Sequence, residues 1–138
     1  MNITSLLKEA ELSPTLLEDR AEYIQTVRQG ISGRVVKLAV DVLGERELFT
    51  SLLNTNSTNL SRFYGKILTK FATEGILDTF RVFQNAINAF EDEEMAIEWL
   101  HTSIPALAGE RPISLCDTSE GRKIVKESLR AIEYGEFT

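Results

Sequence analysis

Apolar side chains recur every three or four residues through most of the chain, and this spacing constrains the fold more than any other feature. In the clearest run, which follows Gly75, the apolar residues are Ile76, Leu77, Phe80, Phe83, Ile87 and Phe90. This spacing places side chains on one face of an α-helix, whereas a half-buried strand would show strict alternation. Only three prolines occur in the 138 residues. The sequence therefore predicts an all-α fold.

Capping residues and glycines divide this pattern into successive helices. We expect helices over residues 3–10, 15–29, 35–43, 48–53, 57–65, 76–90, 95–100 and 118–134. Asp117 or Thr118 is expected to cap the last helix, and Gly135 stands just past its end, where glycine is favoured. The stretch 102–116 contains two prolines and a glycine, which predicts irregular backbone.

Cysteine and histidine usage argues against an enzyme. Cys116 and His101 are the only residues of their types, which excludes an internal disulfide and disfavours a zinc site. Cys116 is expected to pack as a small hydrophobe and His101 to end a helix. There is no glycine-rich phosphate-binding motif, so we predict no catalytic residue, metal or cofactor. No apolar run is long enough to span a membrane and no signal peptide is recognisable, so a cytoplasmic protein is expected.

The charge is distributed unevenly along the chain. The net charge of the whole chain is −6, and a negative net charge argues against binding to nucleic acid. Residues 31–70, however, carry six basic and three acidic side chains, whereas residues 71–101 carry one basic and seven acidic ones. The basic segment is consistent with a binding face, although six cations in forty residues is also close to an average composition.

Within the basic segment, residues 47–63 have the pattern of a helix-turn-helix. A short amphipathic helix is followed by a turn at residues 54–56, where Asn can adopt the left-handed conformation, and then by a second helix opening with Ser and Thr. Leu60 and Phe63 are expected to face inward. The candidate DNA-binding residues are Ser57, Thr58, Asn59, Ser61, Arg62 and Lys66. Any tight helical hairpin has a similar pattern, so the motif alone does not establish DNA binding.

The C-terminal end is a second candidate surface. Two aromatic residues, Tyr134 and Phe137, lie at the end of the chain beside Arg130, and aromatic and Arg side chains are enriched at interface hot spots. The alternative is that both rings fold back onto the core.

The C-terminal residues also resemble the toxin-binding domain of Xre/MbcA/ParS-type antitoxins. The resemblance covers about the last 45 residues and rests on these motifs: Trp99-Leu100, Leu107-Ala108-Gly109-x-x-Pro112, Thr118-x-x-Gly121 and Ile132-Glu133-Tyr134-Gly135. Residues 23–85 resemble more loosely the Xre-like helix-turn-helix domain of the family, with Thr58-Asn59-Leu60-Ser61-Arg62 at its core. The resemblance therefore predicts helix-turn-helix and N-terminal helices in residues 1–85 and a toxin-binding domain in residues 86–138.

This resemblance implies an antitoxin of a type II toxin–antitoxin system, whose partner is a RES-domain toxin that degrades NAD⁺. NAD⁺ would belong to the chemistry of the toxin. The antitoxin would obstruct the toxin's active site, form a homodimer within a larger complex and repress its own operon. The expected toxin-binding residues are Arg130, Glu133, Tyr134, Gly135, Glu136 and Phe137. Since a cleft for NAD⁺ phosphates should be basic, the two glutamates are suited to enter it. The alternative is a DNA-binding transcription regulator without a toxin partner.

Two positions depart from the family pattern. Ala108 stands where the family usually has the first glycine of a pair, and Cys116 stands where leucine is usual. Both are expected to be tolerated changes in packing.

Overall fold

The computed structural model describes residues 2–135, and their regular secondary structure is entirely helical. Within this range the extended backbone forms a single isolated bridge, between Ser32 and Ile67, and no strand. The predicted all-α fold is confirmed. The chain divides into two compact units, residues 1–78 and 79–138. The functional boundary predicted between residues 85 and 86 stays a prediction.

The first unit is built from short helices around an aliphatic and aromatic core. Its elements are α1 (Ile3–Glu9), α2 (Arg20–Gln29), α3 (Arg34–Leu43), α4 (Arg46–Leu52), a 3₁₀ helix (Leu60–Phe63) and the beginning of α5 (Lys70–Phe90). Helix α3 contacts both α1 and α4. The largest fully buried side chains of this unit are Ile3, Leu6, Leu16, Val36, Phe49, Leu60, Ile76 and Leu77. Helical periodicity predicted half of these residues, namely Phe49, Leu60, Ile76 and Leu77, because burial of one apolar face holds such short helices in place.

Three predicted helix starts, at residues 15, 57 and 76, were wrong, and side-chain capping explains the first and the last of them. Helix α2 begins at Arg20 rather than at residue 15, because the Asp19 carboxylate accepts a hydrogen bond from the Glu22 N–H at 3.0 Å. Helix α5 begins at Lys70 rather than after Gly75, because the Thr69 hydroxyl accepts from the Ala72 N–H at 3.1 Å. Gly75 therefore lies inside a helix. A cap stabilises a helix end by about 1 kcal/mol, comparable to the cost of one internal glycine.

The second unit contains the remainder of α5, α6 (Glu93–Leu100), a 3₁₀ helix (Pro105–Leu107), a second 3₁₀ helix (Pro112–Leu115) and α7 (Ser119–Glu133). Both α6 and α7 contact the 3₁₀ helix Pro112–Leu115. The rings of Phe90 and Trp99 lie 5.9 Å apart. Asp92 caps α6, and Glu93 and Glu94 follow in its first turn. The acidic run at residues 91–94 therefore lies at a helix N-terminus, where negative side chains are favourable.

None of the helices formed by residues 2–135 combines the length and the apolar character that crossing a membrane requires.

Candidate functional site

The last helix, α7, begins with a cap and a close backbone contact. The Thr118 hydroxyl accepts a hydrogen bond from the Gly121 N–H at 3.0 Å. Of the two candidate caps, Asp117 and Thr118, it is therefore Thr118 that caps α7. A Cβ atom on Gly121 would lie 1.7 Å from the carbonyl oxygen of Leu115. Only glycine therefore lets α7 approach the 3₁₀ helix Pro112–Leu115 this closely. The Thr-x-x-Gly motif thus determines both where α7 begins and what it packs against.

A buried arginine adds a second link between α7 and the same 3₁₀ helix. Arg122 is 6% exposed, and its Nη1 donates to the carbonyl oxygen of Cys116 at 2.9 Å. Hydrogen bonds from a charged donor are stronger than neutral ones, particularly where water is excluded. Cys116 itself is fully buried, in agreement with the expectation that it packs as a small hydrophobe. The start of α7 is therefore held by backbone sterics and by a charge-assisted bond.

The far end of α7 presents the predicted toxin-binding residues to solvent. The helix ends at Glu133, and Gly135 follows with φ +67°, as the sequence predicted. Tyr134 is 65% exposed, and the guanidinium carbon of Arg130 lies 5.6 Å from its ring centroid. This geometry is a cation–π contact between residues one helical turn apart. For Tyr134, the alternative that the ring folds back onto the core is wrong.

Arg130, Glu133, Tyr134 and Gly135 are therefore neighbouring, exposed residues at one helix end. The other two predicted toxin-binding residues, Glu136 and Phe137, lie outside the described residues 2–135.

Beside this helix end lies a groove that the sequence interpretation missed. Its volume is about 360 Å³, and it is lined by Asn85, Lys123, Lys126, Glu127, Leu129, Arg130, Glu133 and Tyr134. Three of the predicted residues are in this set, but Lys123 and Lys126 were not singled out. The signal was present in the sequence, because residues 123, 126 and 130 have the three- and four-residue spacing of one helix face. We call this feature the α7 groove.

The interpretation of Ala108 as a change in packing was wrong. Ala108 is exposed and has φ +58° and ψ 30°, which is the left-handed region of backbone space. Glycine adopts that region without penalty, whereas an L-residue with a Cβ does so at a cost of about 1–2 kcal/mol. The substitution of alanine for the family's usual glycine therefore affects the backbone of the turn between the two 3₁₀ helices.

His101 has the role expected of it at a helix end. It is the C-terminal cap residue of α6, and its Nδ1 lies 2.8 Å from the carbonyl oxygen of Ile97. A histidine ring nitrogen that hydrogen-bonds to one of the last carbonyls of a helix stabilises the helix terminus.

The candidate DNA-binding segment differs from the predicted second helix. Residues 57–59 form turns, and helical structure begins only with the four-residue 3₁₀ helix Leu60–Phe63. Arg46 donates to the hydroxyl and to the carbonyl oxygen of Ser57 at 2.7 and 2.9 Å. The Asn56 side chain accepts from the Asn59 N–H at 2.9 Å. These local bonds satisfy the backbone and side chains of the turn, and so they compete with an α-helix starting at Ser57.

The turn that precedes this segment agrees with the sequence interpretation, whereas the exposure within the segment agrees with it only in part. Asn54 has φ +52°, the left-handed conformation expected for it. Leu60 is buried, whereas Phe63 is only half-buried. Among the candidate DNA-binding residues, Asn59 is half-buried and the exposed ones are Ser57, Thr58, Ser61, Arg62 and Lys66.

Residues 85–135 match the family model of the antitoxin Xre/MbcA/ParS C-terminal toxin-binding domain. The region that contains α7 and its groove is therefore similar to the toxin-binding domain of the Xre/MbcA/ParS antitoxins, and the predicted resemblance is confirmed for residues 85–135. A curated relative, the Prs ADP-ribosylating antitoxin of Sphingobium sp. (strain YBL2), is 40% identical over 50 residues. That alignment covers 36% of this chain and 31% of the relative, so the match extends over about a third of the relative's length.

Proposed function

We propose that this protein is a cytoplasmic, non-enzymatic antitoxin, which neutralises a RES-domain toxin by placing the end of α7 and the residues after it in the toxin's active site. The main observation is the exposed Arg130–Tyr134 pair at the end of a helix within the toxin-binding match. Neutralisation of this kind needs no chemistry from the antitoxin, because a surface that excludes substrate is sufficient.

The name of the Sphingobium relative supports a toxin that uses NAD⁺. ADP-ribosylation, which appears in the name of the Sphingobium relative, uses NAD⁺ as the donor of the ADP-ribosyl group. A toxin that consumes NAD⁺ must bind its diphosphate, and a cleft that does so is expected to be basic. Glu133 and, by sequence, Glu136 are suited to such a cleft, while Tyr134 supplies apolar contact area.

The proposal is tested by rescue of cells that express the neighbouring RES-domain protein and by its capture on purified antitoxin. Deletion of residues 133–138 is expected to abolish rescue, because the buried residues of α7, such as Val125 and Leu129, remain while the plug is removed. Tyr134→Ala is expected to weaken toxin binding by at least about tenfold, the size of a hot-spot effect.

The matched control for Tyr134→Ala is Phe71→Ala, since Phe71 is an aromatic residue of the first unit that is 89% exposed. It is expected to leave rescue and affinity unchanged. Full neutralisation by the protein lacking residues 133–138 would show that this segment is not the plug.

A second function, repression of the operon by DNA binding, is supported by the exposed polar and basic side chains of residues 57–66. The 3₁₀ helix there is only about 8 Å long, at roughly 2.0 Å per residue, so bases would be contacted by turn residues as well. We expect Arg62→Ala and Lys66→Ala to weaken operator binding and to flatten its dependence on salt, because each removes a phosphate contact. Absence of any mobility shift with the upstream region, with and without toxin, would exclude this function.

Operator binding by a modestly basic segment also favours a homodimer, in which two such segments contact two half-sites. Light scattering of the antitoxin alone and of its complex with the toxin measures this stoichiometry directly. If the adjacent gene encoded no RES-domain protein and DNA binding persisted, the chain would be a transcription regulator without a toxin partner.

A further inference from the structure

The α7 groove carries a stripe of positive charge, of which the proposed plug includes only Arg130. Lys123, Lys126 and Arg130 line it at intervals of three and four residues, so they follow one face of α7. Two carboxylates, Glu127 and Glu133, also line it. The lining therefore contains three cations and two anions, and its volume of about 360 Å³ is sufficient for a few side chains of a partner.

The residues by which α7 is attached to the second unit lie on a different face of the helix from this stripe. Gly121, Arg122, Val125 and Leu129 are buried and form the face by which α7 is attached. Lys123 and Arg130 are exposed, and Lys126 is half-buried. Cations held along a groove of a well-anchored helix are preorganised, which lowers the entropy cost of engaging a partner.

We propose that the α7 groove receives an acidic segment of the toxin, a loop or helix end carrying Asp or Glu side chains. This inference rests on the proposed function, and it extends the toxin-contacting surface from the end of α7 back to Lys123. The groove lies within residues 85–135, the region matched by the toxin-binding family model. Two of the residues that line the groove, Arg130 and Tyr134, are of types that are enriched at the centres of protein interfaces.

The two carboxylates in the groove favour a protein segment over a compact phosphate. Glu127 and Glu133 would repel a phosphate dianion placed between the lysines. A peptide segment can direct its own carboxylates to the cations and its backbone N–H groups to the two glutamates. The mixed lining therefore suits a partner with spaced negative charges and free backbone donors.

The test is a charge reversal at the two lysines that the plug hypothesis does not involve. Binding of the purified toxin to the full-length double variant Lys123→Glu/Lys126→Glu is measured by surface plasmon resonance at 50 mM and 500 mM salt. Since rim charges act mainly on the association rate and on its salt dependence, we expect affinity to fall by about tenfold or more at 50 mM and by much less at 500 mM.

The matched control is Lys8→Glu/Lys37→Glu, which changes the net charge equally at two exposed lysines of the first unit. It is expected to change affinity less than about threefold, because these sites lie outside the proposed contact. The neutral variant Lys123→Gln/Lys126→Gln should fall between the wild type and the charge reversal. Circular dichroism of each variant verifies that α7 is intact.

Each of the following outcomes would overturn the inference. Equal losses in the groove and control variants would show a general effect of net charge. A loss at both lysines that does not depend on salt would show a packing effect. Retained toxin binding with lost operator binding would identify the groove as a nucleic-acid surface. If the wild-type protein failed to bind the toxin, both the proposed function and this inference would be refuted. If the charge-reversal variant bound the toxin normally, only the role of the groove would be refuted.

Discussion

Substitution of Gly121 by alanine sets two physical effects against each other. Alanine is favoured over glycine inside a helix by about 1 kcal/mol, so helix propensity alone predicts stabilisation of α7. The added Cβ, however, would lie 1.7 Å from the carbonyl oxygen of Leu115 and 2.7 Å from its carbonyl carbon. Backbone atoms on both sides must then move, since no flexible side chain can turn away.

The expected sum of these terms is a net loss of stability. Overpacking of a tight contact costs about 1–3 kcal/mol, and loss of the hydrogen bond from Gly121 N–H to Thr118 costs about 1 kcal/mol. After the gain from helix propensity, we expect Gly121→Ala to lower the free energy of unfolding by about 1–3 kcal/mol. The shift should appear as a lower urea midpoint with an unchanged slope in circular dichroism at 222 nm.

Gly75→Ala is the matched control, because Gly75 also lies inside a helix. There the added Cβ would meet only the Leu52 Cδ2 atom at 3.2 Å, the end of a flexible side chain. We expect Gly75→Ala to change the free energy of unfolding by between zero and about +1 kcal/mol. If Gly121→Ala were as stable as Gly75→Ala, the close approach of α7 to the 3₁₀ helix Pro112–Leu115 would not exist in solution. The steric reason for the Thr-x-x-Gly motif would then be refuted.

The remaining predictions concern the same unit and use the same urea measurement. Ala108→Gly should raise the free energy of unfolding by about 0.5–1 kcal/mol, because it removes the left-handed strain while adding some entropy to the unfolded chain; a loss would contradict the strain assignment. Arg122→Met should lower it by about 2 kcal/mol through loss of the bond to Cys116, whereas Lys123→Met at the exposed neighbouring position should change it by less than about 0.5 kcal/mol. Thr118→Ala should lower it by about 1 kcal/mol and Thr118→Ser should restore it, while equal effects of the two changes would exclude a capping role.

The sequence predicted those parts of the fold that depend on local pattern. Six apolar residues after Gly75 indicated one buried helix face. Ile76, Leu77, Phe80 and Phe83 are buried, whereas Ile87 and Phe90 are half-buried. Thr118 and Gly135 marked the ends of α7 because caps and left-handed terminators act within one turn of the chain.

Features that depend on contacts distant in sequence were not predictable in the same way. Gly75 was interpreted as a break, yet it lies in α5 beside Leu52. The helix expected from Ser57 is replaced by turns because Arg46, eleven residues earlier, bonds to Ser57. Ala108 was expected to change side-chain packing, whereas the structure shows that its backbone adopts the left-handed conformation in the turn. In each case the deciding partner or dihedral angle is absent from the hydrophobic pattern.

The order of charges along the C-terminal helix connects the two proposed contacts. Lys123, Lys126 and Arg130 line the groove together with Glu127, and Glu133 follows at the end of the helix, where the proposed plug begins. A partner complementary to both parts needs an acidic rim beside a basic cleft. Entry of α7 in the reverse direction would bring its cations to the basic cleft of the partner and its terminal carboxylate to the acidic rim. Such contacts between like charges cost several kcal/mol. With both proposed contacts formed, the net positive groove and the carboxylate at the helix end would favour one orientation of α7 on the toxin.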